Sequence, residues 1–290
     1  MSDNPLTVAD RIQTGMEDLT RAERQLAHAI LDNYPVSGLG PLADLATAAE
    51  VSGPTVARMV QKLGFSGYAA FQAQLREELR AQGRTPVARH AAWADNAPSG
   101  HILNRFTEAV TDGIRASLAQ IDPAAFDAAC AMIADPANRV AIVGGRITHT
   151  MAEYLFLHLQ VVRAGVTQVQ TTSNTWPHSL LDAGARDVFV IFDMRRYETN
   201  TLRLAQIAHE QGARIVLITD QWRSPVHGLA DLTFGLRTTA PSAWDSAVPT
   251  LLLIETMIAA IQDVAWDTTR DRMERLERMF DRTGLFRKFV

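Results

Sequence analysis

"VFVIFDMRRYETNTLRLAQIA", residues 188–208, opens with five continuously apolar residues of β-branched and aromatic type and closes with apolar residues at helical spacing. So short an apolar run reads as a strand buried on both faces, feeding into a helix. "RVAIV" (139–143) and "RIVLIT" (214–219) repeat the texture, and helical stretches are expected at 148–163 and 198–211. Strands that alternate with helices in this way form a doubly wound parallel sheet. "VTQVQ" (166–170) and "DLTFGL" (231–236) are expected as further strands, the second at an edge. Helices at roughly 245–262 and 266–282 close the chain.

The length of 290 residues suits two domains, each able to bury a core. With 47% hydrophobic and 21% charged residues, the composition is that of a soluble globular protein. A net charge of −4 means that any contact with nucleic acid must be local. The single cysteine, Cys130, excludes an internal disulfide and lies in the apolar "FDAACAMIA", where it reads as packing. No apolar run approaches the ~20 residues of a membrane span, and the first residues lack a signal pattern, so the expected setting is cytoplasmic, with no membrane contact.

The first 80 residues read as helices throughout. Thr20 with Glu23 three residues later forms a capping box that opens "RAERQLAHAILDNY". In "PLADLATAAEVSGPTVARMVQKLGFSGY" (41–68), Leu42, Leu45, Ala46 and Ala49 share one helical face. Val56, Met59, Val60 and Leu63 share another, and only a few residues around Val51 and Ser52 separate the two. Two short amphipathic helices across a tight turn, with Ser52 as N-cap of the second, make a helix-turn-helix. The outward face of the second helix carries Thr55, Arg58, Gln61 and Lys62, which can donate to base edges or phosphates. Ser52, Pro54, Ser66 and Tyr68 complete the expected DNA-binding set. Residues 51–76 contain basic residues and no acidic one, whereas 1–50 are rich in acidic residues, so the charge is segregated as a groove-facing surface requires. Residues 81–100, with Gly83, Pro86, Pro98 and Gly100, read as a linker with room for a short helical piece around Trp93. The domains are therefore 1–80, the linker 81–100, and 101–290.

The run from "LTRAERQLAHAIL" to "LREEL" resembles the N-terminal domain of the RpiR (MurR/RpiR) family of bacterial transcription regulators. The resemblance rests on Val51, Ser52, Thr55, Val56, Arg58, Lys62, Leu63, Gly64, Phe65, Gly67 and Tyr68. It covers roughly residues 6–80. Gly53 and Pro54 depart from the family's usual residues at the start of the recognition helix. The resemblance implies a second, sugar isomerase (SIS) domain that senses phosphosugars through loops after its first and third strands. These would be "VGGRITHT" (143–150) and the loop at 193–198. Gly144 and Gly145 allow a sharp turn, and Thr148 or Thr150 can cap the helix that follows. Thr148 falls where phosphosugar-binding members have a serine, and Arg146 where they often have glycine.

The second loop departs much further. Where those members read S-x-S-G-x-T, this chain has Asp193, Met194, Arg195, Arg196, Tyr197 and Glu198. Cations just before a helix oppose its dipole, by roughly 0.3–1 kcal/mol each, unless an anion meets them. Three roles stand open for Arg195 and Arg196. They clamp an anionic effector, with Asp193 orienting a guanidinium; they pair with Asp193, Glu198 or Glu255 and close the pocket; or they are solvated, which the dipole disfavours. Glu255 is almost the only charge in an apolar helix and is expected to be buried and paired. Ser173 is expected at the pocket rim. His149 and His158, flanking Glu153, read as surface or interface residues rather than a catalytic pair. The chain contains no H-E-x-x-H, cysteine pair, G-x-S-x-G or Walker loop, so no metal, cofactor or catalytic residue is expected.

The sequence thus points to an α-helical helix-turn-helix domain followed by an α/β, SIS-like parallel-sheet domain. The expected function is a non-enzymatic transcription regulator with a double-stranded DNA operator as partner. Its expected effector is a small anion: a phosphosugar, carboxylate or sulfonate. The effector residues would be Gly144, Gly145, Arg146, Thr148, Ser173, Asp193, Arg195, Arg196, Tyr197 and Glu255. A homodimer or homotetramer is expected, with the apolar 245–262 helix as a candidate pairing surface. The alternatives are a constitutive regulator with the SIS half as a dimerisation scaffold, and a SIS-type sugar-phosphate isomerase.

Overall fold

The computed structural model describes residues 6–94, 100–171 and 174–287. Five helices build the N-terminal domain: α1 (Val8–Thr14), α2 (Arg21–Asp32), α3 (Leu42–Ala48), α4 (Gly53–Lys62) and α5 (Tyr68–Gly83). Local chemistry fixes their starts. Thr20 and Glu23 form the expected capping box, and Thr7 with Asp10 forms a second one ahead of α1. Ser52 caps α4, its hydroxyl accepting from the Thr55 N–H, and Pro54 sits in the first turn, where its missing N–H costs nothing. Glu50, at φ 52°, makes the left-handed step that turns α3 into α4. Leu45, Ala46, Ala49, Val56, Met59, Val60 and Leu63 are buried between the helices, as the sequence periodicity predicts, and Ile12, Leu26, Ile30 and Phe71 join them.

Among its described residues, the segment expected to be a linker is mostly helical, and the short helical piece expected around Trp93 is present. Helix α5 continues to Gly83 and α6 runs from Pro86 to Ala94, Pro86 acting as a helix start rather than a breaker. Helices α7 (Ile102–Leu118) and α8 (Pro123–Ala134) then lead to a five-stranded sheet. Its elements are β1 (Arg139–Gly144), α9 (His149–Val162), β2 (Val166–Gln170), β3 (Asp187–Phe192), α10 (Thr199–Glu210), β4 (Arg214–Asp220) and β5 (Leu232–Leu236). Helices α11 (Val248–Val264) and α12 (Trp266–Thr283) follow. The strand order is β2-β1-β3-β4-β5 and every pairing is parallel.

Side-chain alternation along the strands feeds two cores. Val140, Ile142, Val188, Val190 and Phe192 face α8, α9 and α11, while Val143, Phe189, Ile191 and Leu217 face α10. Cys130 lies in the first core, and burial pushes its thiol up to about 12, so it is packing. Leu253, Ile254, Met257, Ile258 and Ile261 of α11 are in that core too, so the apolarity of this helix serves the core rather than a pairing surface. By contrast, α12 buries only Thr269 and leaves Trp266 and Met279 exposed. Among the described residues, no single helix is long and apolar enough to cross a membrane.

The chain leaves β1 toward β2 on one side and β3 toward β4 on the other, so the carboxyl ends of β1 and β3 flank the switch point where open sheets bind ligands. Gly144 and Phe192 are register partners there, which brings the loops after β1 and β3 together. The helical domain docks on the same edge of the sheet. Asp10 and Arg237 form a buried pair, their side chains 5% and 3% exposed. Between the domains, Leu31–Tyr34 and Arg223–Pro225 line a cavity of about 180 Å³.

Candidate functional site

Helix α4 divides the expected DNA-binding residues into two groups. Ser52, Pro54, Arg58, Gln61 and Ser66 are exposed. Thr55 is instead buried: its hydroxyl lies 2.8 Å from that of Ser52 and accepts from Arg58 Nη2 at 3.3 Å. It shapes the start of the helix and is not free to meet a base. Lys62 is drawn sideways, donating to Glu23 Oε2 at 3.3 Å and to the Asp18 carbonyl, so it ties α4 to the start of α2. The Tyr68 hydroxyl donates to the carbonyls of Gly38 and Gly40 at 3.2 and 3.0 Å, while its ring stacks on Phe71. Tyr68 therefore braces the loop before α3. Arg58 and Gln61 remain as long polar side chains on the open face.

At the sheet edge, the loop after β1 is held by Thr148. Its hydroxyl accepts the Gly145 N–H at 2.8 Å and donates to the Phe192 carbonyl at 2.9 Å. Thr148 is thus the N-cap residue of α9 by position but uses its hydroxyl to bind β3, and it makes no side-chain cap. Thr150, the other capping candidate, bonds the Ile147 carbonyl. A Cβ at Gly144 would meet backbone, His149 N at 2.7 Å, so the turn requires that glycine, whereas one at Gly145 would meet only the Glu198 carboxylate, Oε1 at 2.6 Å. Glu198 Oε1 also accepts the Arg146 N–H at 2.6 Å, and the Arg146 side chain is exposed. Ser173 lies outside the described residues.

The loop after β3 is built on internal pairs. Arg195 does not face an open clamp. Its Nε and Nη2 reach Asp245 at 2.8 and 2.5 Å, its guanidinium lies 3.8 Å over the Trp222 ring, and its side chain is 5% exposed. Arg89 of α6 grips the same carboxylate at 3.2 and 3.0 Å. The pairing anticipated for Arg195 is therefore present, but the partner is Asp245 and not Asp193, Glu198 or Glu255. Its Nη1 donates to the Ala81 carbonyl at 3.2 Å, binding the loop to the end of α5. Arg196 is exposed.

Asp193 orients no guanidinium. It is buried, accepts from the Ser224 hydroxyl, and lies 3.5 Å from the Glu198 N–H; burial pushes its carboxyl up to about 7. Tyr197 donates its hydroxyl to Asp220 Oδ1 at 2.7 Å, and burial raises it well above the usual tyrosine range. Asp220 also accepts from the backbone N–H of Arg195 at 2.7 Å and of Trp222 at 3.0 Å; burial raises its carboxyl, against the pull of the Arg195 N–H and the Tyr197 hydroxyl. Arg89 and Arg195 are thus balanced by Asp220 and Asp245, which is how four ionisable side chains share this site.

Glu255 departs from expectation. It is exposed on α11 and accepts from the Tyr154 hydroxyl at 3.1 Å, apart from the loop cluster. His158 is exposed against the Tyr154 ring, and His149 faces Gln168 at 3.4 Å. Sequence reasoning missed Arg89, Asp220, Trp222, Ser224 and Asp245. The one available signal was Asp220, a carboxylate ending an apolar strand at the ligand edge; Asp245 lies in an aperiodic "PSAWDSA" loop.

Family models match two segments: a helix-turn-helix domain of the rpiR family at residues 6–82 and a SIS domain at 133–260. The transcriptional regulator HexR of Pseudomonas aeruginosa is 26% identical over 213 residues, 72% of each chain. HexR of Escherichia coli is 26% identical over 221 residues, 74% of this chain and 72% of its own. Among solved structures, the sugar isomerase domain of an RpiR transcription factor from Sphaerobacter thermophilus covers 61% of this chain and 97% of its own (22% identity, TM-score 0.56). Vibrio vulnificus NanR complexed with ManNAc-6P covers 97% of this chain and all of its own (17% identity, TM-score 0.55). These two likenesses establish the fold.

Proposed function

Because this chain belongs to the RpiR family of transcriptional regulators, a helix-turn-helix domain joined to a SIS domain, we propose that it is a cytoplasmic, effector-controlled regulator and not an enzyme. Helix α4 enters the major groove of a double-stranded operator, with Arg58 and Gln61 reading base edges and Ser52, Pro54 and Ser66 near the backbone. The SIS domain senses a small anion. A phosphosugar leads, since the NanR relative is complexed with one, ahead of a carboxylate or sulfonate.

The observation that carries the reading is the bond from Arg195 to the Ala81 carbonyl. It joins the loop at the ligand edge to the last helix of the DNA-binding domain, so a change in one is felt in the other. Exposed Trp266 and Met279 on α12 support a two-fold pairing surface there, which light scattering on the purified protein would test.

A thermal-shift screen of sugar phosphates against small carboxylates and sulfonates, repeated with operator DNA present, tests the effector. A ligand that raises the melting temperature and changes operator affinity is the expected outcome. Specific binding that no metabolite alters favours the second reading, a constitutive regulator with a SIS scaffold. The closure of the 193–198 loop by Asp245 supports that alternative.

A further inference from the structure

Glu198 stands at the N-cap position of α10 yet does not cap it with its side chain. The side chain reaches across to the other loop, where Oε1 takes the Arg146 N–H at 2.6 Å. The carboxylate occupies the space that the missing Gly145 side chain leaves, with its atoms 2.6–3.2 Å from where a Cβ would stand. A carboxylate seated on backbone N–H at a glycine turn does what a bound anion does. Arg146 and Arg196, one in each of the two loops, are both exposed.

We propose that Glu198 is a built-in occupant of an anion seat between the β1 and β3 loops, and that an anionic ligand binds by displacing it. The proposal rests on the effector-sensing reading above and adds the device that links binding to response. Glu198 belongs to the same six-residue loop as Arg195, which holds Ala81 and Asp245, and Tyr197, which holds Asp220. Swinging Glu198 out of the seat pulls on that loop and loosens its hold on the end of α5 and on α6. The ligand therefore competes with a tethered carboxylate, and the docked arrangement persists until it wins. Coupling of this kind needs only that the ligand prefers the displaced state.

Inorganic phosphate titrated into the full chain, wild type and Glu198→Ala, tests this by calorimetry, with hydrogen exchange followed over residues 81–94. The variant is expected to bind phosphate about tenfold or more tighter, because a competing and repelling charge has gone. Its 81–94 amides are expected to exchange faster even without phosphate. Gly145→Ala should speed the same exchange without the gain in affinity, since its methyl fills the seat. Unchanged phosphate affinity in a folded Glu198→Ala chain would overturn the proposal, and so would tighter binding with unaltered exchange. Should that variant not fold, Glu198→Gln takes its place: the amide oxygen still accepts from Arg146, the charge is lost, and phosphate affinity must rise. None of these measurements uses operator or cognate effector, so a failed effector screen and a failed displacement are separate results.

Discussion

Thr55 shows what a helical wheel can and cannot read. Its spacing puts it on the outward face of α4, but one turn from the N-cap its hydroxyl meets that of Ser52 and it is buried. Lys62 and Tyr68 are likewise claimed by neighbours from other segments, Glu23 and the 38–40 carbonyls, which no local pattern reveals. Arg58 is the surviving long cation, and Arg58→Ala should weaken specific operator binding by about 1–3 kcal/mol, measured by titration against a scrambled duplex. Equal loss on both duplexes would make it a phosphate contact instead. Asp193 sets a different test. Burial lifts it to about 7 from an ordinary 3.8, so between those values the folded chain keeps a proton that the unfolded chain has released. Stability must fall as pH rises through that window and stay lower above it. Asp193→Asn should raise the denaturation midpoint above pH 7 and change it little near pH 4, as urea titrations across pH would show. Glu78, pushed up to about 8 by burial between α1 and α5, should extend the same downward slope by one further unit.

The elements were legible where one signal dominated. β3, buried along its whole length, is an apolar run from Val188 to Phe192 after its opening Asp187, and α2 and α4 carry their caps in the sequence. The short helical piece expected around Trp93 is there as α6, but its start at Pro86 was not legible because Pro86 and Gly83 register as breakers, although proline is at home in a first helical turn. The role of α11 was misread because an apolar helix looks the same whether it faces a core or a partner. Caps give the cleanest test at this scale. Ser52→Ala removes the hydroxyl that accepts from Thr55 N and also partners the Thr55 side chain, and should cost about 1 kcal/mol in thermal unfolding. Operator affinity should fall with it, since α4 starts from that turn.

For the whole molecule, nothing in the sequence announces that Asp10 meets Arg237, 227 residues away, or that Arg89 and Arg195 share Asp245. Such pairs become visible only after both domains are folded and docked. Asp10→Ala leaves Arg237 buried beside Glu78 and should destabilise the chain by about 3–5 kcal/mol. Asp245→Asn leaves two guanidiniums facing a neutral amide, and limited proteolysis between residues 81 and 100 should accelerate sharply while the sheet stays folded. That shared carboxylate has a further consequence. By fastening α6 to the body of the SIS domain it makes each reading head part of a rigid frame, so a two-fold pair of chains would act as a ruler. The separation of the operator half-sites would then be written in the protein, and one base pair inserted between them would put the second half-site out of phase with a head that has no slack to follow it.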